Sequence, residues 1–350
     1  MKALHRYRFS QSKNPLSSLS AFYAIISPMA LSEFELIRSY FSHTGSRRND
    51  VLLGVGDDCA LLQPPSGMQL AVSIDTLVEG VHFFPNTDPE SLGHKTLAVN
   101  LSDLAAMGAQ PAWVTLALTL PRSDPSWLEG FSRGFADLAE RYGVQLIGGD
   151  TTSGPLNISV QVHGFVEPAK ALRRDAAQPG DLIYVTGTLG DAGLALLQAQ
   201  GRYALNAAVD ELKLHLERPE PRINVGIAVA GIAAAGIDIS DGLLSDLGHI
   251  CRASGVGATL QLTQIPLSAA VAAYIEESGD WAVPLAAGDD YELCLTVPDR
   301  RRDVFESLAS EMDVELTLIG RVEEGSGVRI VDGSGEVVSI RRQGFEHFYD

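Results

Sequence analysis

Apolar residues recur along this chain with two different periods, and each period predicts one type of element. Between residues 157 and 166 apolar and polar residues alternate, which is typical of a half-buried strand. Within residues 92–107, Leu97, Leu101 and Leu104 follow one another at intervals of four and three positions, the spacing of a buried helical face. This helix should end at Gly108, with Pro111 beyond it. A second helix should begin after Asp124, whose side chain can cap it.

The rest of the chain shows an alternation of short apolar runs and amphipathic segments. It predicts a mixed α/β (α+β) fold class, and the length favours two domains. The predicted strands are residues 68–74, 113–120, 145–147, 182–185, 237–239, 258–262, 291–297 and 315–321. Helices are expected to begin near Asp191, Arg222, Gly242, Ser268 and Arg300.

A polar segment with two prolines, residues 167–180, is expected to join the two domains. We therefore place an N-terminal domain at residues 29–166 and a C-terminal domain at residues 167–350. Residues 1–28 are basic and rich in serine, and they lack the long apolar core of a signal peptide. We expect them to form a disordered extension.

Composition and charge narrow the class of protein. The chain has 350 residues, of which 44 are acidic and 26 basic, so its net charge is −18. This balance argues against a nucleic-acid partner, because such partners are bound mainly through Lys and Arg. No apolar run reaches the roughly 18–20 residues of a membrane helix. The three cysteines are widely spaced and form no CxxC pair, which excludes a disulfide framework or a zinc site. A soluble, cytoplasmic protein is predicted.

Acidic residues are concentrated in five short segments, most of which follow a predicted strand. These segments, all interpreted as turns, are residues 56–58, 73–76, 148–152, 238–242 and 288–290. A sixth group lies in the helix at 92–107, where Asn100 and Asp103 are three residues apart and project together. Any one of these residues could be a turn former, a helix cap or part of a solvated face. Carboxylates brought together repel each other unless cations lie between them, and Mg²⁺ with phosphate oxygens meets that need. The pattern therefore indicates a Mg²⁺-dependent enzyme that handles phosphate.

The common nucleotide-binding motifs do not occur in this chain. There is no GxxxxGK[ST] sequence, which excludes the P-loop class. Residues 54–56 begin a GxG pattern but lack its third glycine, so they are not a dinucleotide fingerprint. Residues 187–191 could form a phosphate cradle before a helix, although a single glycine-rich turn is more often structural.

Taken together and in order, the acidic motifs resemble those of the thiamine-monophosphate kinases. The motifs are VGDDCA at 55–60, SIDTLV at 73–78, NLSDLAAMGA at 100–109, GGDTT at 148–152, DISDGL at 238–243 and DYEL at 290–293. This family belongs to the superfamily of aminoimidazole ribonucleotide synthetase and selenophosphate synthetase. The resemblance implies a two-domain fold of that type, and homodimers whose N-terminal domains pair strands, at residues 157–166 or their neighbours. It also implies an ATP-dependent transfer of a phosphoryl group to thiamine monophosphate, with several Mg²⁺ ions.

The resemblance assigns roles to individual residues of this chain. The implied Mg²⁺ ligands are Asp58, Ser73, Ile74, Asp75, Asp103, Asp150, Asp238 and Asp241. The implied ATP contacts are Gly149, Asp150, Arg174 and Ser240. The implied contacts to thiamine monophosphate are His82, Asp289 and Phe345. Three positions depart from the family pattern: Ile74 replaces a Thr and offers only its carbonyl, Asp289 replaces a Glu, and Phe345 replaces a Trp or Tyr.

Two alternatives to this function stay open at the level of sequence. One is another ATP-using enzyme of the same superfamily, acting on a ribonucleotide or on selenide. Selenide chemistry would require a reactive Cys near the N-terminus, and none precedes Cys59. The other is a non-catalytic nucleotide-binding protein, which loss of the acidic set would indicate, whereas the set is intact.

Overall fold

The computed structural model describes residues 32–204, 208–340 and 344, so the extension expected at 1–28 and Phe345 lie outside the described residues. The helices are α1 Glu33–Tyr40, α2 Pro89–Ala106, α3 Pro125–Arg141, α4 Asp191–Ala199, α5 Val209–Glu217, α6 Ile223–Val229, α7 Leu243–Ser254, α8 Ala269–Ser278, α9 Ala282–Ala286 and α10 Arg302–Ala309. The strands are β1 Val51–Leu53, β2 Leu61–Leu62, β3 Gln69–Val78, β4 Gln110–Leu120, β5 Gln145–Ser153, β6 Asn157–Val166, β7 Leu182–Thr186, β8 Ala235–Asp238, β9 Gly257–Gln261, β10 Leu293–Val297, β11 Leu316–Glu323 and β12 Gly327–Val331. The predicted α/β fold class is confirmed.

The N-terminal part is built on a four-stranded sheet in the order β3-β6-β4-β5. β4 and β5 are parallel, and the other neighbours are antiparallel. β6 has the bounds expected for the strand at 157–166, and its apolar residues face the core as the alternation predicted. It pairs on both sides, whereas β3 pairs on one side only among the described residues and forms an edge of the sheet there. Any strand pairing across a dimer must therefore involve β3 rather than β6 on this side of the sheet.

Helix α2 is the central element between the two parts of the molecule. Asp88 caps it by accepting from the backbone N–H of Ser91, Pro89 begins it, and Gly108 follows its end with a positive φ of 66°. It packs against α3 and the N-terminal sheet on one side and against α6 and β8 on the other. The helix is therefore buried almost all round, including Asn100, which is fully buried rather than part of a solvated face.

The C-terminal part is a six-stranded sheet in the order β12-β9-β11-β7-β10-β8. All neighbours are antiparallel except β12 and β9. All the predicted strands are present, and each predicted helix of this part begins within two residues of its expected start. One cluster of buried apolar residues runs from the N-terminal sheet through α2 to β7 and β10, so the two parts share a continuous core.

The sequence interpretation of two acidic segments as turns is wrong. Ser73 and Asp75 lie inside β3, which pairs with β6 over its whole length. Asp150 lies inside β5, where it pairs with Ala117 of β4. At Gly149 the strands approach so closely that a Cβ atom would lie 1.8 Å from the carbonyl oxygen of Leu116. Glycine is therefore required by strand packing there. Over the described residues, no helix is long and apolar enough to cross a membrane.

Candidate functional site

A cluster of carboxylates lies where β3, α2 and the segment after β8 meet. Ser73 Oγ donates a hydrogen bond to Asp103 Oδ2 at 2.5 Å, which joins β3 to α2. The backbone N–H of Asp75 donates to Asn100 Oδ1 at 3.0 Å, so the same two elements are joined twice. Asp238, at the end of β8, is 4% exposed and close enough to Asp103 for their charges to repel.

Burial and mutual repulsion raise the pKa values of the carboxyl groups in this cluster. Burial, with the charges of Asp103 and Asp241, raises the pKa of Asp75 from 3.8 to about 6. Burial raises the pKa of Asp103, although the Ser73 hydroxyl and the charge of Arg174 offset part of this effect. Burial and the charge of Asp103 raise the pKa of Asp238 well above its ordinary value. A cation in the cluster would lower all three pKa values by favouring the charged forms.

Asp246 belongs to the same cluster and was not identified from the sequence. It lies in the first turn of α7 and accepts from the backbone N–H groups of Asp241 and Gly242, at 3.1 Å each. Burial and the charge of Asp241 raise its pKa to about 7. The available signal was its position, because an Asp in the first turn after a glycine that opens a helix can hold the preceding loop.

The donor set of the cluster fits Mg²⁺ ions that share their ligands with phosphate. Within residues 32–204 and 208–340, no three His, Cys, Asp or Glu side chains are arranged to hold one metal ion by themselves. Mg²⁺ in phosphoryl-transfer sites is held by one or two carboxylates together with waters and substrate phosphates. Carboxylate oxygens on Asp75, Asp103 and Asp238 suit that mode of binding.

Several residues implied as ligands lie outside this group of contacts. Asp58, between β1 and β2, and Asp150, in β5, are exposed, and none of the described hydrogen bonds or ion pairs joins them to the acidic cluster. The side chain of Ile74 projects from β3 to the surface and is 61% exposed. Their assignment as Mg²⁺ ligands stays a prediction.

The residues implied to contact ATP are placed around the acidic cluster and on the sheet edge. Arg174 is exposed in the segment between the two parts, and its charge lowers the pKa of both Asp103 and Asp246. Its neighbour Arg173 is paired with Asp175 at 2.6 Å instead. Gly149 is exposed in β5, and its role in ATP binding also stays a prediction.

Ser240 lies in the segment after β8, between two residues of the acidic set. Its carbonyl oxygen accepts from the backbone N–H of Asp289 at 2.8 Å. Close packing of the two segments is visible at Gly288, where a Cβ atom would lie 2.4 Å from the same oxygen. The segment that carries Asp289 is thus fixed against the segment that carries Asp238 and Asp241.

A cavity of about 380 Å³ lies between the two parts of the molecule, and it is lined by two of the residues implied to bind thiamine monophosphate, His82 and Asp289. Its apolar lining includes Phe83, Phe84 and Leu197. Its charged side chains are Lys95, Arg202, Glu217, Asp280 and Asp289, which gives one excess negative charge. Such a lining suits an aromatic, cationic ligand.

Two polar groups of the cavity have defined partners. His82 Nδ1 accepts from the backbone N–H of Val78 at 2.9 Å, so the proton of the neutral ring is on Nε2. Lys95 Nζ donates to Asp289 Oδ2 at 3.0 Å. Lys95 was not identified from the sequence. The sequence did contain a signal, because Lys95 is the single Lys or Arg in α2, a helix with few other charged residues.

The glycine-rich turn at residues 187–191 has a structural role. The backbone N–H of Gly190 donates to Asp290 Oδ1 at 2.9 Å, and Thr188 Oγ1 donates to Asp191 Oδ2 at 2.5 Å. Carboxylates of the protein therefore occupy the position that a phosphate would need.

Comparison with known proteins agrees with the fold and with the acidic motifs. Residues 56–166 match the AIR synthase related protein, N-terminal domain, and residues 178–333 match the AIR synthase related protein, C-terminal domain. The thiamine-monophosphate kinase of Escherichia coli (strain K12) is 50% identical over 323 residues, which are 91% of this chain and 99% of that protein.

Two solved structures extend the comparison. The crystal structure of thiamine-monophosphate kinase from Stenotrophomonas maltophilia K279a is 49% identical, with a TM-score of 0.77 over 83% of this chain and 93% of that one. AaThiL complexed with AMPPCP and TMP is 34% identical, with a TM-score of 0.70 over 84% of this chain and 92% of that one. The resemblance of the sequence motifs is therefore confirmed, and this chain belongs to the thiamine-monophosphate kinase family.

Proposed function

We propose that this protein transfers the γ-phosphoryl group of ATP to the phosphate of thiamine monophosphate. An oxygen of the acceptor phosphate forms the new P–O bond, the bond between the β and γ phosphates of ATP breaks, and thiamine diphosphate and ADP leave. Relatives at 50% identity carry this activity in their names, and a relative at 34% identity has been solved with AMPPCP and TMP.

The observation that carries this proposal is the connection between the cavity and the acidic cluster. The cavity suits the aromatic, cationic part of thiamine, and Asp289 lines it. The backbone of Asp289 is hydrogen-bonded to Ser240, which lies between Asp238 and Asp241. A ligand whose ring system occupies the cavity can therefore extend its phosphate toward the carboxylates, which is the arrangement a phosphate acceptor needs.

The residues of this chain act by position and charge rather than as a general base. The second pKa of a phosphate monoester is about 6, so the acceptor is already a dianion near neutral pH. Asp75, Asp103, Asp238 and Asp241 would hold Mg²⁺ together with the phosphates of both substrates. When bound, Mg²⁺ neutralises the negative charge that builds up between donor and acceptor oxygens. Arg174, at the edge of the cluster, provides a fixed positive charge for a phosphate of ATP.

We also propose a homodimer that forms through the edge strand β3. The outward side chains of Leu70, Val72 and Ile74 are 48%, 50% and 61% exposed, which makes an apolar row on a strand that pairs only with β6 within the described part of the chain. Monomeric proteins usually protect such edges with charges or cover them. Pairing of two β3 strands would satisfy the unpaired backbone groups and place the acidic clusters near the dimer interface. With ATP as the donor, we expect this reaction to take place in the cytoplasm.

The proposal is tested by incubating the protein with ATP, Mg²⁺ and one acceptor at a time. We expect chromatography to detect thiamine diphosphate with thiamine monophosphate as acceptor, and no equivalent product with selenide or a ribonucleotide. ADP release that requires a ribonucleotide, without formation of thiamine diphosphate, would favour another enzyme of the superfamily. ATP binding without turnover of any acceptor would favour the non-catalytic alternative.

A further inference from the structure

Lys95 is a buried charged residue whose role the proposed reaction does not yet explain. Lysine is almost never fully buried unless it is paired, and its side chain here is 6% exposed. Its Nζ donates to Asp289 Oδ2 at 3.0 Å and to the carbonyl oxygen of Leu216 at 2.9 Å. An ammonium group has three N–H donors, so one remains beyond these two acceptors. Because Lys95 lines the cavity, that donor is available to a ligand bound there.

Asp289 is presented to the cavity by a backbone that is held in an unusual conformation. Gly288, Asp289 and Tyr291 have φ values of 78°, 64° and 50°. Residues other than glycine keep this conformation only where their surroundings impose it, and such positions concentrate at ligand-binding sites. The imposing contacts are Asp289 N–H to Ser240 and Tyr291 N–H to Ile239, at 2.8 and 2.9 Å. The Asp289 carboxylate is therefore held in place both by the hydrogen bonds of the local backbone and by its contact with Lys95.

The pair offers a ligand one donor and one acceptor side by side. Lys95 contributes an N–H group, and the Asp289 carboxylate has further lone pairs beyond the one that accepts from Lys95. A neighbouring donor and acceptor on a protein read the complementary edge of an aminated ring, as Asn and Gln do with the N7 and N6 atoms of adenine. The 4-aminopyrimidine ring of thiamine has such an edge, with a ring nitrogen that accepts and an amino group that donates.

We propose that Lys95 and Asp289 recognise the aminopyrimidine edge of thiamine monophosphate, with Lys95 as a specificity-determining residue. This inference rests on the proposed function and names the end of the substrate that enters the cavity. Lys95 donates to the ring nitrogen, and Asp289 accepts from the amino group. Because the Lys95–Asp289 contact joins residues 194 positions apart, it also sets the position of the ring relative to α2.

The decisive substrate is the 4-oxo analogue, oxythiamine monophosphate, in which the amino group is replaced by a carbonyl. Its ring nitrogen carries a proton, so the donor and the acceptor on this edge are exchanged. The ring N–H would then face the Lys95 donor, and the ring carbonyl would face the Asp289 acceptor. We expect the wild-type protein to prefer thiamine monophosphate by about 100-fold in kcat/KM, since sites built to hydrogen-bond a substrate reject analogues that leave their polar groups unpaired. A loss of folded protein lowers kcat/KM for both substrates by the same factor, so the ratio of the two kcat/KM values does not change.

Lys95→Met should lower kcat/KM for thiamine monophosphate about tenfold or more. It should change kcat/KM for the analogue about twofold or less, so the preference for thiamine monophosphate over the analogue becomes smaller. Lys170→Met is the matched control, because Lys170 is exposed and paired with Glu167, and it should keep the wild-type preference. His94 Nε2 also contacts the segment after α5, at the carbonyl of Pro219, which helps to keep that segment docked in the variant.

If Lys95→Met does not fold, Asp289→Asn provides the second measurement. Its amide can donate to the carbonyl of the analogue, so the preference for thiamine monophosphate should also narrow. A wild-type preference that is unchanged in the folded Lys95→Met or Asp289→Asn variant overturns the inference. A wild-type protein that is active but does not distinguish the two substrates also overturns it and leaves the proposed function intact. A wild-type protein inactive with thiamine monophosphate overturns both.

Discussion

Replacing Asp75 by Asn should stabilise the metal-free protein, because Asp75 is ionised at a cost in the folded state. Burial and the charges of Asp103 and Asp241 raise its pKa from 3.8 to about 6. This difference of about two pH units corresponds to about 3 kcal/mol of unfavourable free energy for the charged form. Asparagine has nearly the same size and no charge, so Asp75→Asn should raise the free energy of unfolding by up to about 3 kcal/mol at pH 8. Relaxation of the folded protein makes this an upper limit.

The sign of the pH dependence follows from the raised pKa. The folded protein binds the proton more tightly than the unfolded chain, so the wild type is penalised fully above the folded pKa of about 6. As the pH falls from 6 toward 3.8, Asp75 becomes protonated in both states and the penalty disappears. The increase in the free energy of unfolding caused by Asp75→Asn should therefore be largest at pH 7 to 8, and it should become smaller as the pH approaches 4.

The assay is urea unfolding with EDTA at a series of pH values, repeated at pH 8 with Mg²⁺ and ATP. Ligands that bind only the folded protein should stabilise the wild type more than the Asn variant, because the variant has lost a carboxylate. Asp137→Asn is the control, since Asp137 is exposed on α3 and should leave stability unchanged. If Asp75→Asn at pH 8 without metal is no more stable than the wild type, the mutual repulsion inferred for the acidic cluster is wrong.

Three further predictions concern catalysis, the acceptor and assembly. Asp103→Asn should fold but lose about 10²-fold or more in rate, because phosphoryl transfer depends on electrostatic stabilisation, and extra Mg²⁺ should restore only part of it. A variant that keeps near-normal activity at low Mg²⁺ would contradict this. Free thiamine should not be phosphorylated, because it lacks the phosphate dianion, and formation of thiamine monophosphate from it would require a general base. Val72→Lys on β3 should sediment as a monomer, whereas Val304→Lys, at an apolar position on α10 that is at least as exposed, should sediment like the wild type. A fully active wild-type monomer would contradict the proposed dimer.

The periodicity of the chain was sufficient for the elements whose burial follows a simple pattern. The strand at 157–166 was predicted with its observed bounds, because one face is buried and the other is not. The helix around Asp103 was predicted, and so was its end at Gly108. Strands β1, β2 and β12 and helices α5 and α9 were missed, because they are short or lie at the surface and have weak patterns. The order of strands in both sheets depends on contacts between distant segments, and no local pattern specifies it.

The acidic residues themselves were visible in the sequence, since several Asp residues beside Gly and Ser are unusual as a set. Their mutual arrangement was not. Residues 73–76 were interpreted as a turn at the end of a predicted strand, whereas pairing with β6 continues that strand through Ser73 and Asp75. Asp246 was not identified from the sequence, because the charges that act on it, those of Asp241 and Arg174, come from other segments of the chain.

The sequence by itself determined the alternation of helices and strands, the family and the kinds of ligand atom. The tertiary structure decided which of those atoms meet. Lys95 and Asp289 are 194 residues apart, and the charged group of Lys95 is buried because α2 is covered on both sides by the two sheets and their helices. Local propensity acts over a few residues, whereas burial, repulsion and pairing of charges depend on distances in space.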